Sequence, residues 1–311
     1  MVWANRDINM PDLRSWRKIT FLLILLAVPL FFIGGVSAFA PDVYRRLWDL
    51  GHAVFFTLVA VNLVWWLIIK NHKQFAVAFL IVFGISLLIE KLQGFIGRDA
   101  SWSDVLSNMS GFLLGYSFTQ IASKWILVLR SVSILGLLPG LWAVLKSLIL
   151  MFVLWQQFPL LSGGESPWES RAWSGRADIS RIAAIENPDR VYRIGFSGLA
   201  YQSANLRGFI QPWNHHQTLI LQIENPSNKK LGLTLRISDK QHEISNQEYS
   251  DRFNRRIELS PGWNQIEIPI NDIKNAPLKR TMNLQDIYVL KLFLPETGGP
   301  KEIYLNRIYL Q

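Results

Sequence analysis

The sequence predicts a multi-domain chain: an all-α transmembrane bundle of about five spans, followed by an all-β jelly-roll sandwich. Three observations carry this. The chain has 311 residues and is 50% hydrophobic, an average that hides a very apolar first half and a polar, alternating second half from about Ser162. Basic clusters sit beside the apolar runs: Arg14, Arg17 and Lys18; Lys70 and Lys73; Lys124 and Arg130. In the second half, turn residues separate short runs rich in β-branched and aromatic residues.

The helical elements follow in order. Residues 1–18 form a polar, basic lead-in. Residues 19–40 are the first apolar run, long enough to span a ~30 Å core at ~1.5 Å per residue. The run also has a signal-peptide look, because Ala38-Phe39-Ala40 is an A-x-A site. Pro41 after that site and the length of the run favour a retained helix. After a short connection from Pro41 to Arg46, spans are expected at 48–70, 75–96 and 104–122. The Pro139-Gly140 pair is read as a break, giving an interfacial segment at Trp125 to Leu129 and a last span at 137–158.

Orientation follows from the lysines and arginines. A cytoplasmic N-terminus puts Arg14, Arg17, Lys18, Lys70, Lys73, Lys124 and Arg130 on the inner side, and an odd number of spans then puts the C-terminal domain outside. The net charge of +9 lies largely in these flanking clusters, so no nucleic-acid partner is expected. The absence of cysteine excludes disulfides, thiolate catalysis and thiolate metal sites. No cofactor and no metal site are expected. The expected location is the cell (inner) membrane.

Residues 162–175 read as a Gly-, Ser- and Pro-bearing linker, and 176–311 as the exported β domain. Strands are expected at 190–196, 218–224, 231–238, 255–259, 265–270, 287–294 and 302–310. Asn225-Pro226-Ser227-Asn228, Ser260-Pro261-Gly262 and Gly298-Gly299-Pro300 supply turns between several of them.

The stretch from Ile85 to Gly115 carries too many polar residues for a membrane turn. Asp49 and His52 are one helical turn apart, as are Glu90 and Gln93; Asp104, Asn108, Gly111 and Gly115 form a stripe at helical spacing. All fall toward the outer ends of their spans, so they predict a polar pocket one to two turns deep, with Arg98 as charge partner of Glu90 or Asp104. Helix packing is the competing reading. Polar side chains hold membrane helices together, and glycines four apart let them approach closely.

These residues resemble the VanZ-like family. The family pattern is a helix opening with Asp and His, then Glu-x-x-Gln, then Arg, Asp, Asn, Gly and Gly. This chain has Asp49 and His52, Glu90-Lys91-Leu92-Gln93, Arg98, Asp104, Asn108, Gly111 and Gly115. It departs at the first element: the family places Asp-Lys four residues ahead of the His, where this chain has Trp48-Asp49. The resemblance covers about Val43 to Ala122. It implies a VanZ-like transmembrane domain over 19–161 and an envelope protein of a family whose founding member is tied to resistance against teicoplanin-type glycopeptides. It implies no agreed reaction.

From Ser166 onward the chain resembles galactose-binding-like jelly rolls of the kind found in carbohydrate-binding modules. The residues that carry this are Trp168-Glu169, Leu219 to Asp239, and Leu259-Ser260-Pro261-Gly262-Trp263-Asn264 leading into Ile266 to Ile270. Sugar binding needs exposed aromatic platforms with flanking polar groups, and Trp213, Tyr201, Tyr249 and Arg252 are the candidates. Core packing is the competing role for the tryptophan.

Together these readings give an envelope membrane protein with an outward polar pocket and an extracytoplasmic domain that binds glycan or another partner. Its expected partners are membrane lipids and an envelope glycan or lipid-linked saccharide. The alternative is an enzyme on a lipid-linked substrate, with Glu90 or His52 as general base and Arg98 gripping a phosphate.

Overall fold

The computed structural model describes residues 13–31, 39–66, 68–95, 101–183, 190–199, 202–294, 299 and 301–311. It divides into two compact units, Met1–Ser147 and Leu148–Gln311. Two sequence candidates, Arg98 and Tyr201, lie outside the described residues, as does Ala38 of the A-x-A site.

The first unit is helical: α1 (Leu13–Ala27), continued by a 3-10 turn (Val28–Phe31), α2 (Asp42–Trp65), α3 (His72–Phe95), α4 (Trp102–Phe118) and the part up to Ser147 of α5 (Lys124–Gln157). Among the described residues, α2, α3 and α5 are long and apolar enough to cross a membrane. Most of the apolar surface of α3 and α5 is uncovered by protein, as hydrocarbon-facing helices require. By contrast α4, with 17 residues, buries Val105, Asn108, Met109, Phe112 and Tyr116 among others. It is the central helix of the unit.

One expectation is corrected. There is no break at Pro139-Gly140: α5 runs through Pro139 as one helix of 34 residues. Proline lacks a helical N–H and crowds the preceding turn, but membrane helices tolerate it where neighbouring groups re-satisfy the backbone. At ~1.5 Å per residue the helix is ~50 Å long, well beyond a ~30 Å hydrocarbon core.

Helices α2 and α4 meet at glycines. A Cβ on Gly111 would land on the Ala53 carbonyl oxygen, and one on Gly115 on the Thr57 carbonyl oxygen. Thr57 Oγ1 ties the contact, donating to the carbonyls of Ala53 (2.7 Å) and Gly111 (3.0 Å). Further along, Phe75 stacks on Tyr116 with ring centroids 4.0 Å apart. The end of α4 is capped from α5, where Arg130 donates to Ser117 O of the helix (2.9 Å) and to Gln120 O just beyond it (3.2 Å).

The second unit is an antiparallel sandwich. Its strands are β1 (Leu160–Ser162), β2 (Trp173–Gly175), β3 (Asp178–Ala183), β4 (Arg190–Phe196), β5 (Ser203–Leu206), β6 (Thr218–Asn225), β7 (Leu231–Asp239), β8 (Phe253–Leu259), β9 (Gly262–Pro269), β10 (Ile287–Phe293) and β11 (Lys301–Leu310). Short helices α6 (Lys240–Ile244) and α7 (Ile270–Lys274) follow β7 and β9. One sheet has the order β3-β4-β11-β6-β9, with β1 on β11; the other is β2-β5-β10-β7-β8. Leu233, Leu235 and Ile237 of β7, Leu290 and Leu292 of β10, and Ile303, Leu305 and Ile308 of β11 fill the space between them.

All seven strands expected from the sequence are present, with ends shifted by up to three residues. The Ser260-Pro261-Gly262 turn joins β8 to β9, with Gly262 at φ +81° and Asn264 Oδ1 accepting from Ser260 N at 2.9 Å. A second expectation is corrected here. Residues 162–175 are not a linker but contain β2 and the end of β1. Within them Glu169 is fully buried, its Oε1 accepting from Ser162 Oγ (2.6 Å), Gly163 N (2.9 Å) and Gly164 N (3.2 Å). The glycines that read as flexibility supply N–H groups to a buried carboxylate, whose pKa burial raises above its ordinary value.

Candidate functional sites

In the helical unit, three helices each contribute one side chain to a buried hydrogen-bonded string. The Asn108 amide of α4 donates to Ser86 Oγ of α3 at 2.7 Å, and its oxygen lies 3.2 Å from His52 Nδ1 of α2. With the amide N–H₂ directed at Ser86, the oxygen accepts, which places the His52 proton on Nδ1. Ser86, Asn108, His52, Glu90 and Gln93 are all buried. Glu90 Oε2 accepts from the Ser101 backbone N–H at 3.0 Å, holding the start of α4 against α3.

The structure therefore brings His52 and Asn108 into direct contact and buries Glu90 and Gln93. Asp49 lies on the partly exposed side of α2, with Arg46 Nη1 3.9 Å away. Asp104 is half-buried in the first turn of α4, where a carboxylate complements the helix dipole. Gly111 and Gly115 lie against the α2 backbone at Ala53 and Thr57. Ser86, which completes the string, gave no signal, because serine is unremarkable in an apolar helix.

His52 also borders a cavity of about 360 Å³ between α1 with its 3-10 turn and α2. Ala27, Leu30, Tyr44, Leu47, Trp48, Gly51 and Phe55 form the rest of its wall. Gly51 leaves its side of the wall open, since a Cβ there would meet nothing within 4 Å. The space is apolar, with a hydrogen-bonded histidine at one side.

In the sandwich, Trp213 is not a sugar platform. It is fully buried, its ring edge-on to Phe209 at 5.1 Å. The candidates Tyr249 and Arg252 are accessible: Tyr249 is 72% exposed and the Arg252 guanidinium lies 5.1 Å over its ring. They flank the outer face of the five-stranded sheet, which the sequence did not single out.

Cross-strand register builds that face. Leu235 and Ile237 point into the core, so Thr234, Arg236 and Ser238 point out. Asn205 of β5 opposes Lys291 of β10, Lys291 opposes Arg236 of β7, and Arg236 opposes Asn254 of β8. One polar row thus crosses four strands. Beside it Arg207 follows β5, with its guanidinium 5.2 Å over the Tyr288 ring.

Hydrogen bonding along the row is incomplete. Asn205 Oδ1, Arg236 Nε, Arg252 Nε and Asn254 Oδ1 are buried and meet no hydrogen-bond partner among the described residues. Burial lowers the pKa of Lys291, and Arg236, Arg207 and Arg252 add to the shift while Glu243 opposes it. The pKa values of Arg236 and Arg252 are lowered too, first by burial. One side of Arg236 is anchored: Nη2 donates to Glu243 Oε1 at 3.2 Å and lies 3.1 Å from His242 Nε2. Among the described residues no group of three or more His, Asp or Glu side chains is placed to hold a metal ion.

Residues 5–123 match the VanZ-LLP1 family model, described as VanZ/LLP1. The helical region from α1 to α4 is VanZ-like. The VanZ match takes in α1 as well as the polar string of α2, α3 and α4, and so begins well ahead of the motif residues. No curated protein matches the chain. Similar solved structures include a family 11 carbohydrate-binding module from Clostridium thermocellum in complex with a β-1,3-1,4-mixed-linked tetrasaccharide. It has TM-score 0.39 and 13% identity, covering 49% of this chain and 93% of that one. The family 11 module of the cellulosomal cellulase Lic26A-Cel5E of Clostridium thermocellum gives 0.34 and 11%, with 45% and 86% covered. An exo-β-agarase gives 0.36 and 13%, covering 49% of this chain and 24% of its own length. The sandwich is assigned from its own strands, and no residue-level correspondence is drawn from these likenesses.

Proposed function

We propose that this VanZ-like protein is an envelope membrane protein whose sandwich lies outside the cytoplasm and binds a saccharide on the outer face of its five-stranded sheet. The Asn205–Lys291–Arg236–Asn254 row carries this reading. Buried donors and acceptors left unpaired cost about 1–3 kcal/mol each, so a row with several is stabilised by a ligand rich in hydroxyls. Tyr249 and Tyr288 at its margins, each beneath an arginine, offer rings of the kind that pack on sugar faces. The basic clusters flanking the spans support the orientation. A link to envelope glycan metabolism or glycopeptide resistance follows from the VanZ likeness and stands on it alone.

A second reading has one observation in its favour. His52 borders an apolar cavity that suits an acyl chain, and Asn108 fixes its tautomer. A lipid-linked substrate would place its chain there, with Glu90 or His52 as proton acceptor. Arg98, the expected phosphate ligand, lies outside the described residues.

Both readings are checked on one preparation, the full-length protein in detergent micelles. It is titrated with a panel of neutral and acidic oligosaccharides, and its bound lipids are extracted and weighed by mass spectrometry. Binding to at least one oligosaccharide is expected, and silence across the panel sinks the saccharide reading. The lipid reading requires a defined lipid-linked species that His52→Ala leaves bound but unconverted. Only bulk phospholipid, unchanged by the substitution, counts against it.

A further inference from the structure

We infer that the ligand of this row is an acidic saccharide, one carrying a carboxylate or phosphate among its hydroxyls. The inference rests on the saccharide reading above and deepens it.

Charge comes first. Lys291 lies directly opposite Arg236 of β7, Arg207 follows the Leu206 that opposes Leu290, Arg252 precedes the Phe253 that opposes Ile237, and Glu243 is the carboxylate that binds Arg236. Four cations against one anion leave an excess of positive charge in a half-buried setting. Like charges held together away from water repel and lose hydration, a cost that folding alone gives no reason to bear. Glu243 is already engaged, since Oε1 accepts from Ser238 Oγ at 2.7 Å as well as from Arg236. A bound anion offsets both costs and accepts from the arginine Nε groups, charge-assisted bonds about twice as strong as neutral ones.

The second observation separates an acidic sugar from a bare anion. An ionised carboxylate accepts hydrogen bonds but donates none, and the P–OH groups that inorganic phosphate keeps near neutral pH sit on one small ion that cannot reach both ends of the row. Asn205 Oδ1 and Asn254 Oδ1, at the two ends of the row, are buried acceptors with no donor among the described residues. A ligand that satisfies the whole row presents an anionic group to Arg236, Lys291 and Arg252 and hydroxyl donors to the two asparagines. A sugar acid or sugar phosphate does both. Geometry favours it too: strands lie ~4.8 Å apart, so the Asn205-to-Asn254 row spans three intervals, ~14 Å, the reach of two to three sugar rings.

The test uses the full-length protein in detergent. Oligomers of glucuronate, galacturonate and mannuronate are titrated beside their methyl esters, which keep the hydroxyls and remove the charge. Sugar phosphates are titrated beside the parent sugars, and inorganic phosphate alone is included. At least one acidic member is expected to bind tenfold or more tightly than its neutral counterpart, with affinity falling as salt is raised. Lys291→Gln and Arg252→Gln are each expected to weaken that binding about tenfold while leaving the melting temperature within about 2 °C. Lys274→Gln, on the exposed side of α7, is expected to change nothing. If neutral members bind as tightly as acidic ones, the acidic assignment fails and the saccharide reading survives. If inorganic phosphate binds as tightly as the best sugar, the site takes a bare anion and the inference is overturned. If nothing binds, both fall.

Discussion

Gly111 shows how far a single residue can be read. Its four-residue spacing to Gly115 predicts close approach of helices, and the structure supplies the neighbour, the backbone of α2 at Ala53. Gly84 of α3 is an exposed glycine within a helix, with nothing within 4 Å of a Cβ. Gly111→Ala should therefore destabilise the protein by about 1–3 kcal/mol, the usual cost of overpacking. Gly84→Ala should be neutral or stabilise by up to about 1 kcal/mol, through helix propensity. Thermal unfolding in detergent separates the two, and equal melting temperatures would sink the packing account. His52, Glu90, Gln93 and Asn108 stood out in the sequence because a polar residue in hydrocarbon is costly. Ser86 did not, because serine is cheap there. Trp213 shows the limit from the other side: a tryptophan near turn residues reads more readily as core than as platform, and burial places it in the core.

The junction after β7 shows what joins one element to another. Asp239 ends β7 and caps α6, its Oδ1 accepting from His242 N at 2.9 Å. Arg280 then grips Asp239 through both terminal nitrogens (2.6 and 2.8 Å) and Asp251 through Nε (2.6 Å) and Nη2 (3.0 Å). One guanidinium thus fastens the strand end, α6, the turn at Tyr249–Asp251 and the segment leading into β10. Arg280→Ala strands the fully buried Asp239 carboxylate and should cost about 3–5 kcal/mol. Acid should reveal the same clasp in two stages. His242, fully buried, has its pKa lowered from 6.5 by burial, which outweighs the Asp251 contact. Below pH 6.5 the unfolded chain therefore takes up the proton first, and stability falls until the folded pKa is passed. Asp239 and Asp251 are held below 3.8, with the Arg280 hydrogen bonds driving the shift against burial. Their contribution is full above about pH 3.8 and disappears as pH falls through the lowered pKa values. Stability against pH, measured by denaturant unfolding, should show a smaller first decline in His242→Gln, leaving the part that His216 contributes through its own burial-lowered pKa, and keep the second. An unchanged profile would remove His242 from the account. None of this clasp was legible beforehand, because Arg280 reads as one more loop cation.

At the scale of the whole molecule, topology is the claim most exposed to test. The chain has no cysteine, so each single substitution gives a clean label. Ser260→Cys, at the exposed β8–β9 turn, should react with a membrane-impermeant maleimide in spheroplasts. Lys73→Cys, exposed near the start of α3, should react only after lysis. The reverse pattern would overturn the orientation.

The sequence by itself determined a helical membrane half, a β half and seven of the strands, and it marked His52 and Asn108 but not Ser86 of the buried polar string. These are local properties: hydropathy, a period of 3.6 or 2, turn chemistry, and the cost of a polar group in hydrocarbon. Only the tertiary structure decided that α5 passes unbroken through Pro139, that 162–175 joins the sandwich, and that Trp213 is core. It alone set Asn205, Lys291, Arg236 and Asn254 side by side. Alternation along a strand gives each of these residues its face, but the strand order β5-β10-β7-β8 gives it its neighbour. That order is fixed by pairing between segments far apart in the chain, through a core they fill together, and no local pattern encodes it.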